Sequence, residues 1–378
     1  MTRTPPLLAA GFRPMFLAAS GWATLAMAAW LPLLSGALEL PSRFDPLTWH
    51  IHEMLFGFVM ATVGGFLLTA IPNWTGRAPV AGTPLVVLAG LWLLGRVVCS
   101  VSTTMPLWLV VVADLAFPVA LELVAARELF AVGNKRNYPL LVPVIVLSIA
   151  NLLMHLQSAI GWRLAIAVVI VLISVIGGRI VPAFTRNWLN ARGVTPVPPS
   201  PDMLDRAALG TLHPGMVLWA FLLDWWPIGV LLLIAAALNL VRLARWRGVV
   251  THEEPLLLIL HIGYLWLVVG VALLGLSLLS NAIPSAAAVH ALTAGAMGTM
   301  TLAVMTRATL GHTGRVLRAD KVTVLIYALV NASALLRIGA SWAADGQMDL
   351  YEVAALAWVG AFTLFVAEYG PMLLAPRL

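Results

Sequence analysis

The sequence predicts an all-α, polytopic membrane protein of about twelve transmembrane helices, with both termini in the cytoplasm. Three observations carry that expectation. The 378 residues are 61% hydrophobic and only 10% charged, with a mean hydropathy of +0.96, whereas soluble domains carry about 25% charged residues. The apolar runs each reach the roughly 20 residues that a helix needs to cross a bilayer. The lysines and arginines fall at alternate breaks between those runs. One side receives Arg3, Arg77, Arg127, Arg242, Arg245, Arg247, Arg377 and others, and the opposite side only Arg43 and Arg163. So lopsided a division collapses if one span is missed or invented mid-chain. A soluble monomer, a disordered chain and a nucleic-acid-binding domain are excluded. The net charge of +6 reads as orientation in a membrane rather than affinity for anions.

The spans follow in order. The first, 12–36, contains Arg13-Pro14, is too long for a signal-peptide core and lacks a small-x-small exit. The second, 49–71, opens on Trp49-His50-Ile51-His52-Glu53. Spans 84–103 and 106–127 are apolar apart from Arg96 and Asp114, and 139–159 carries His155. Span 162–183 contains Pro182, tolerated because neighbouring helices re-satisfy the freed backbone groups. A Pro-rich stretch, 186–205, reads as a cytoplasmic connector. The weakest span, 206–223, holds His213-Pro214 and abuts Asp224-Trp225-Trp226. Span 227–244 precedes a charged loop with His252, and 255–280 carries His261 and Tyr264. The last three are 285–306 with His290, 321–343 with Arg337, and 350–374 with Glu368. Residues 1–378 thus read as a single transmembrane helical domain with the connector inside it.

The single cysteine, Cys99, excludes an intrachain disulfide, a CxxC site and a CxxCH attachment for c-type haem. Eight histidines remain, and on this topology they fall at two depths. His50, His52, His155 and His290 share the outer level. His261, His213 and His312 lie toward the cytoplasmic side, and His252 is a solvated loop residue. A lone intramembrane histidine is often only a hydrogen-bonded packing residue. Four at one level on different helices is the arrangement in which bundles bind haem or metal. With thiolate ligation sets closed, imidazole is the ligand expected for b-type haem or copper.

His50 and His52 are two residues apart, about 200° around a regular helix, so both cannot face one site unless the helix begins there. In the tenth span His290, Thr293, Met297 and Thr301 form a stripe among small residues that include Gly295 and Gly298. Such a face serves helix packing, and it also lets a flat macrocycle approach the backbone. Tyr264 shares a helix face with His261. Arg96 and Arg337 lie too deep to reach headgroups by snorkelling. Their expected partners are haem propionates, with Asp114, Glu53 or Glu368 as protein alternatives. Glu53, Asp114 and Tyr264 are candidate proton carriers.

The sequence resembles the NnrS family, haem- and copper-containing membrane proteins of the bacterial nitric oxide response. The strings that carry the likeness are GFRPMF (11–16), WHIHEMLFGF (49–58), GFLLTAIPNWTGR (65–77), LWLLGR (91–96), NLLMHL (151–156), GGRIVPAFTRNWL (177–189), HIGYLW (261–266) and HALTAGAMGTMTLAVMTRATLGHTGR (290–315). The likeness implies twelve helices in the bacterial inner membrane, haem b and copper, with His50, His52, His155, His261, His290 and His312 as the matching histidines. It leaves open which histidine binds which metal.

The leading expectation is a redox protein that binds nitric oxide and reduces it to nitrous oxide, protecting against nitrosative stress. A membrane quinol is the donor reached by elimination. The alternatives are a non-catalytic protein that buffers or senses nitric oxide or handles metal, and a transporter. No internal duplication of the histidine motifs is evident between the halves, which weighs against a carrier. The haem–copper oxidase core is recognisable by an adjacent His-His pair, and none occurs here.

Overall fold

The computed structural model describes residues 4–222, 225–343 and 346–378. Arg3 and Asp224 lie outside them. Among the described residues there are twelve helices and no strand. They are α1 Phe12–Leu34, α2 Pro46–Thr75, α3 Thr83–Ser100, α4 Leu107–Ala131, α5 Leu141–His155 and α6 Ile160–Asn190. The second half adds α7 Met203–Phe221, α8 Trp226–Arg245, α9 Pro255–Ser277, α10 Ser285–His312, α11 Lys321–Gly339 and α12 Gln347–Leu374. Eleven are long and apolar enough to cross a membrane, making this a multi-pass membrane protein. The twelfth, α7, is the weakest expected span; Asp205 and Arg206 in its first turns dilute its apolar content.

Helix starts follow from their capping chemistry. Asp45 accepts hydrogen bonds from the Leu47 and Thr48 N–H groups and from Thr48 Oγ1, with Pro46 at the first helical position. Burial alone would raise the Asp45 carboxyl, but these bonds outweigh it and hold the group below its ordinary value. Asp202 and Asp205 form a reciprocal capping box on α7, and Asp320 caps α11 through Thr323 N–H. Arg242, which the sequence counts with the cytoplasmic-side charges near the end of span 227–244, is buried in α8, where its Nε donates to Asp205 Oδ1 at 2.7 Å.

Two helices are not α-helical throughout. Glu53–Val59 in α2 and Ala291–Gly298 in α10 are π-helical, and each segment begins directly after a histidine, His52 or His290. Long π segments are rare and gather at functional sites.

The chain gathers into two compact units: Met1–Ala165 with Ala308–Val316 and Phe362–Leu378, and Ile166–Arg307 with Leu317–Ala361. In the first, α1 crosses α2 on glycine. A Cβ on Gly65 would meet the Phe16 ring at 2.7 Å, and one on Gly11 would meet Leu68 Cβ at 2.4 Å. Arg13, in the same stretch of α1, donates to the Leu373 and Ala375 carbonyls and ties down the end of α12. In the second unit α6 presents Gly177 to the Tyr264 ring and Gly178 to the Arg242 guanidinium. Phe16 is fully buried, so Gly65→Ala should cost about 1–3 kcal/mol by overpacking. Gly21→Ala, which meets nothing within 4 Å, should be neutral or stabilising by up to about 1 kcal/mol. Thermal unfolding of the two variants in one detergent checks the contrast.

Candidate metal centre

Four helices of the first unit bring seven side chains that carry polar or ligating atoms into its interior. The start of the π segment supplies His52 and Glu53, and α4 supplies Asp114. On α3, Arg96 and Cys99 are three residues apart; on α5, Asn151 and His155 are four apart, so each pair shares a face. His52, Glu53, Cys99, Asn151 and Asp114 are at most 1% exposed, Arg96 2% and His155 6%.

Arg96 bridges the two acids. Its Nη1 donates to Glu53 Oε2 at 2.8 Å and its Nη2 to Asp114 Oδ1. Glu53 Oε2 also accepts from Trp22 Nε1 at 2.7 Å. Asp114 Oδ2 receives Asn151 Nδ2 at 2.9 Å and lies 3.0 Å from both His52 Nε2 and His155 Nε2. His52 Nδ1 lies 3.0 Å from Glu53 Oε1. His52 Nε2 also hydrogen-bonds Asn151 Oδ1 at 2.9 Å, so both ring nitrogens of His52 face acceptor oxygens, an arrangement satisfied in full only by the imidazolium. Counted that way, two carboxylates meet one guanidinium and one imidazolium, and the cluster is neutral. Neutrality is what lets four ionisable groups persist in an apolar interior.

The walls are aromatic. Phe44, in the loop before α2, lies 4.9 Å from the His52 ring and 5.2 Å from the His155 ring, and Phe56 lies 5.1 Å from His52. The π segment needs glycine where it meets Trp22: a Cβ on Gly57 would stand 2.4 Å from the indole nitrogen. The Gly57 carbonyl is taken up by Trp92 Nε1 at 2.9 Å.

One ligand atom each from His52, Cys99, Asp114 and His155 lie within 4.8 Å of one another. Two imidazoles, a thiol and a carboxylate form a donor set suited to copper. Binding would require the thiol and the imidazoles to give up protons.

The remaining candidates sit elsewhere. His50 stacks on Trp30 at 4.3 Å, on a different side of α2 from His52. His261 Nε2 lies 2.9 Å from Thr185 Oγ1, whose own proton goes to the Val181 carbonyl, so the imidazole donates there. The Gly248 backbone covers the other edge of that ring. His213 makes the same kind of bond to Ser174 on α6. Tyr264, in the second unit, accepts from Arg242 Nη1 and donates to Asn239 Oδ1, each at 2.7 Å. His290 donates from Nδ1 to the Ala286 carbonyl at 2.7 Å. His312, at the end of α10, packs 5.5 Å from the Phe12 ring. Arg337 lies over the Tyr351 ring at 4.3 Å, with Nη1 3.3 Å from Ser341 Oγ. Arg96 takes the protein acids, Glu53 and Asp114, as its partners.

Sequence reasoning passed over Cys99, Asn151 and Trp22. The helical spacings Arg96/Cys99 and Asn151/His155 were signals for the first two; Trp22 left none.

A family model described as NnrS protein matches residues 6–377. The chain belongs to the NnrS family. Membership makes it a candidate haem and copper protein of the nitric oxide response, and the buried donor cluster gives a metal somewhere to bind. No curated relative matches the sequence.

Removing one partner of a buried ion pair costs about 3–5 kcal/mol because the other charge is left uncompensated. Arg96→Met should therefore destabilise the chain by about that much, and Arg96→Met with Asp114→Asn by clearly less. Thermal unfolding of the single and double variants in detergent measures the difference.

Proposed function

We propose that this NnrS protein holds copper at His52, Cys99, Asp114 and His155, also binds haem b, and binds and reduces nitric oxide in the bacterial inner membrane. The observation that supports the reading best is the four-donor cluster, buried in a chain whose family is linked to both cofactors. Bound, the metals would supply a site for nitric oxide and would relay electrons from an external donor. The net reaction joins two molecules of nitric oxide with two electrons and two protons, giving nitrous oxide and water; a membrane quinol would be the donor. With the Lys- and Arg-rich loops inside, both termini face the cytoplasm.

The chain's own residues would do three things. Phe44 and Phe56 keep water from the imidazoles. Arg96 holds Glu53 and Asp114 in fixed positions. His52, with Nδ1 on Glu53 and Nε2 between Asn151 Oδ1 and Asp114 Oδ2, holds a proton within reach of two carboxylates. One observation favours the non-catalytic reading, in which nitric oxide is bound but not turned over: every oxygen of Glu53 and Asp114 already has a partner.

Purified wild-type protein should carry both copper and haem, measured by elemental analysis and as the pyridine haemochromogen. Cys99→Ser and His155→Ala should each lower copper at least tenfold with haem unchanged. Reduced wild-type protein should consume nitric oxide steadily at an electrode; a single stoichiometric uptake would decide for binding alone, and absence of both metals would refute the reading.

A further inference from the structure

The histidine-headed π-helix occurs twice, and the copies match beyond that segment. Pro46 and Pro284, His52 and His290, Gly57 and Gly295, and the triplets Thr75-Gly76-Arg77 and Thr313-Gly314-Arg315 all stand 238 positions apart. Gly76 and Gly314 both end their helices in the left-handed conformation, with φ of 69° and 82°. On the same spacing α3 begins at Thr83 and α11 at Lys321, and single 3₁₀ turns follow at Ser102–Thr104 and Ala340–Trp342. The packing is repeated too. A tryptophan of the preceding helix covers the π-segment glycine in each copy, Trp22 on Gly57 and Trp266 on Gly295. Each indole nitrogen donates to a polar side chain at 2.7 Å, Glu53 in one and Asn331 in the other. Sequence inspection found no duplication because few residues are identical; the element spacing and the matching π segments reveal it.

The chemistry around the two histidines has diverged. At the positions of Glu53 and Arg96 the second copy has Ala291 and Ala334. The contact of Gly95 with Asp114 becomes Ser333 Oγ on the Ala354 carbonyl. These three alanines are at most 3% exposed. Glu53, one of the two acids of the first copy, is replaced by an alanine in an apolar floor, the same spacing puts the exposed Glu352 at the position of Asp114, and Cys99 is replaced by Arg337. That guanidinium has no carboxylate partner among the described residues, and its Nε is buried without a hydrogen bond. His290, at the position of His52, donates its Nδ1 proton to a backbone carbonyl. This sets the lone pair on Nε2, the tautomer that metal-ligating imidazoles adopt. An imidazole lone pair, an apolar floor and an unpaired guanidinium suit a flat apolar metal complex with a carboxylate edge.

We propose that the second copy is the haem site, with His290 as the axial ligand and Arg337 binding a haem propionate, while the first copy remains the copper site. The assignment rests on the proposed haem and copper content, and it makes the two cofactors occupants of duplicated, diverged sites. Divergence into two unlike sites argues for paired cofactors rather than for a carrier with two like halves.

The test measures haem and copper per chain and the Soret band in wild type, His290→Ala, His290→Met, Arg337→Gln and Arg337→Lys. Wild type lacking both metals would overturn the function proposed above. With a loaded wild type, His290→Ala should lose at least tenfold of its haem and keep its copper. His290→Met should shift the Soret band. Arg337→Gln should release haem to apomyoglobin several-fold faster, with Arg337→Lys restoring retention. Haem content and Soret band unchanged in both His290 variants would overturn the assignment, as would copper lost together with haem. If His290→Ala cannot be recovered intact, the Soret position of His290→Met decides alone.

Discussion

Charge compensation at Arg96 is the interaction on which the first unit depends. An interior this apolar cannot hold Glu53 and Asp114 as free carboxylates, because each would carry the desolvation cost of an unpaired ion. The guanidinium reaches both at once, in the planar geometry that lysine lacks, and joins α2, α3 and α4. Asn151 and His155 then have a fixed acceptor in Asp114, which brings in α5. Gly95 and Gly57 serve the same cluster by sterics: a Cβ on Gly95 would stand 2.7 Å from Asp114 Oδ1.

Much of this was legible in the sequence. Composition and apolar run length gave the membrane helices, and the weakness of the seventh was visible in Asp205 and Arg206 beside His213-Pro214. The depth of His52 and His155 placed them at one level, and the two-residue spacing of His50 and His52 kept them from facing one site unless the helix begins there; the two rings lie on different sides of α2. What could not be read was the π-helix. It has no propensity signature, and it changes the phase of every side chain after His52 relative to a regular helix. Arg242 stands near the cytoplasmic end of its span in the sequence, and only the folded chain reveals Asp205 and Tyr264 as its partners. Cys99 was used for what it excludes and not for what it offers, although it lies one helical turn from Arg96.

The second unit has polar networks of its own. Arg242, Asp205, Tyr264 and Asn239 satisfy one another, and α6 supplies hydroxyl acceptors to His213 and His261. Each of these two histidines donates one ring proton to a hydroxyl of α6, and the buried Nδ1 of His261 has no hydrogen bond. His52 and His290 differ from them in heading π segments, and they differ from each other in what surrounds them. The two copies keep one scaffold with different side-chain chemistry.

The central claim is that the cluster around Arg96 is a copper centre containing the chain's only thiol. X-ray absorption at the copper edge of the purified protein tests it most directly. The account predicts one sulfur scatterer together with the multiple scattering of imidazole, and loss of the sulfur component in Cys99→Ser. A copper signal with nitrogen and oxygen neighbours alone, unchanged by that substitution, would contradict it.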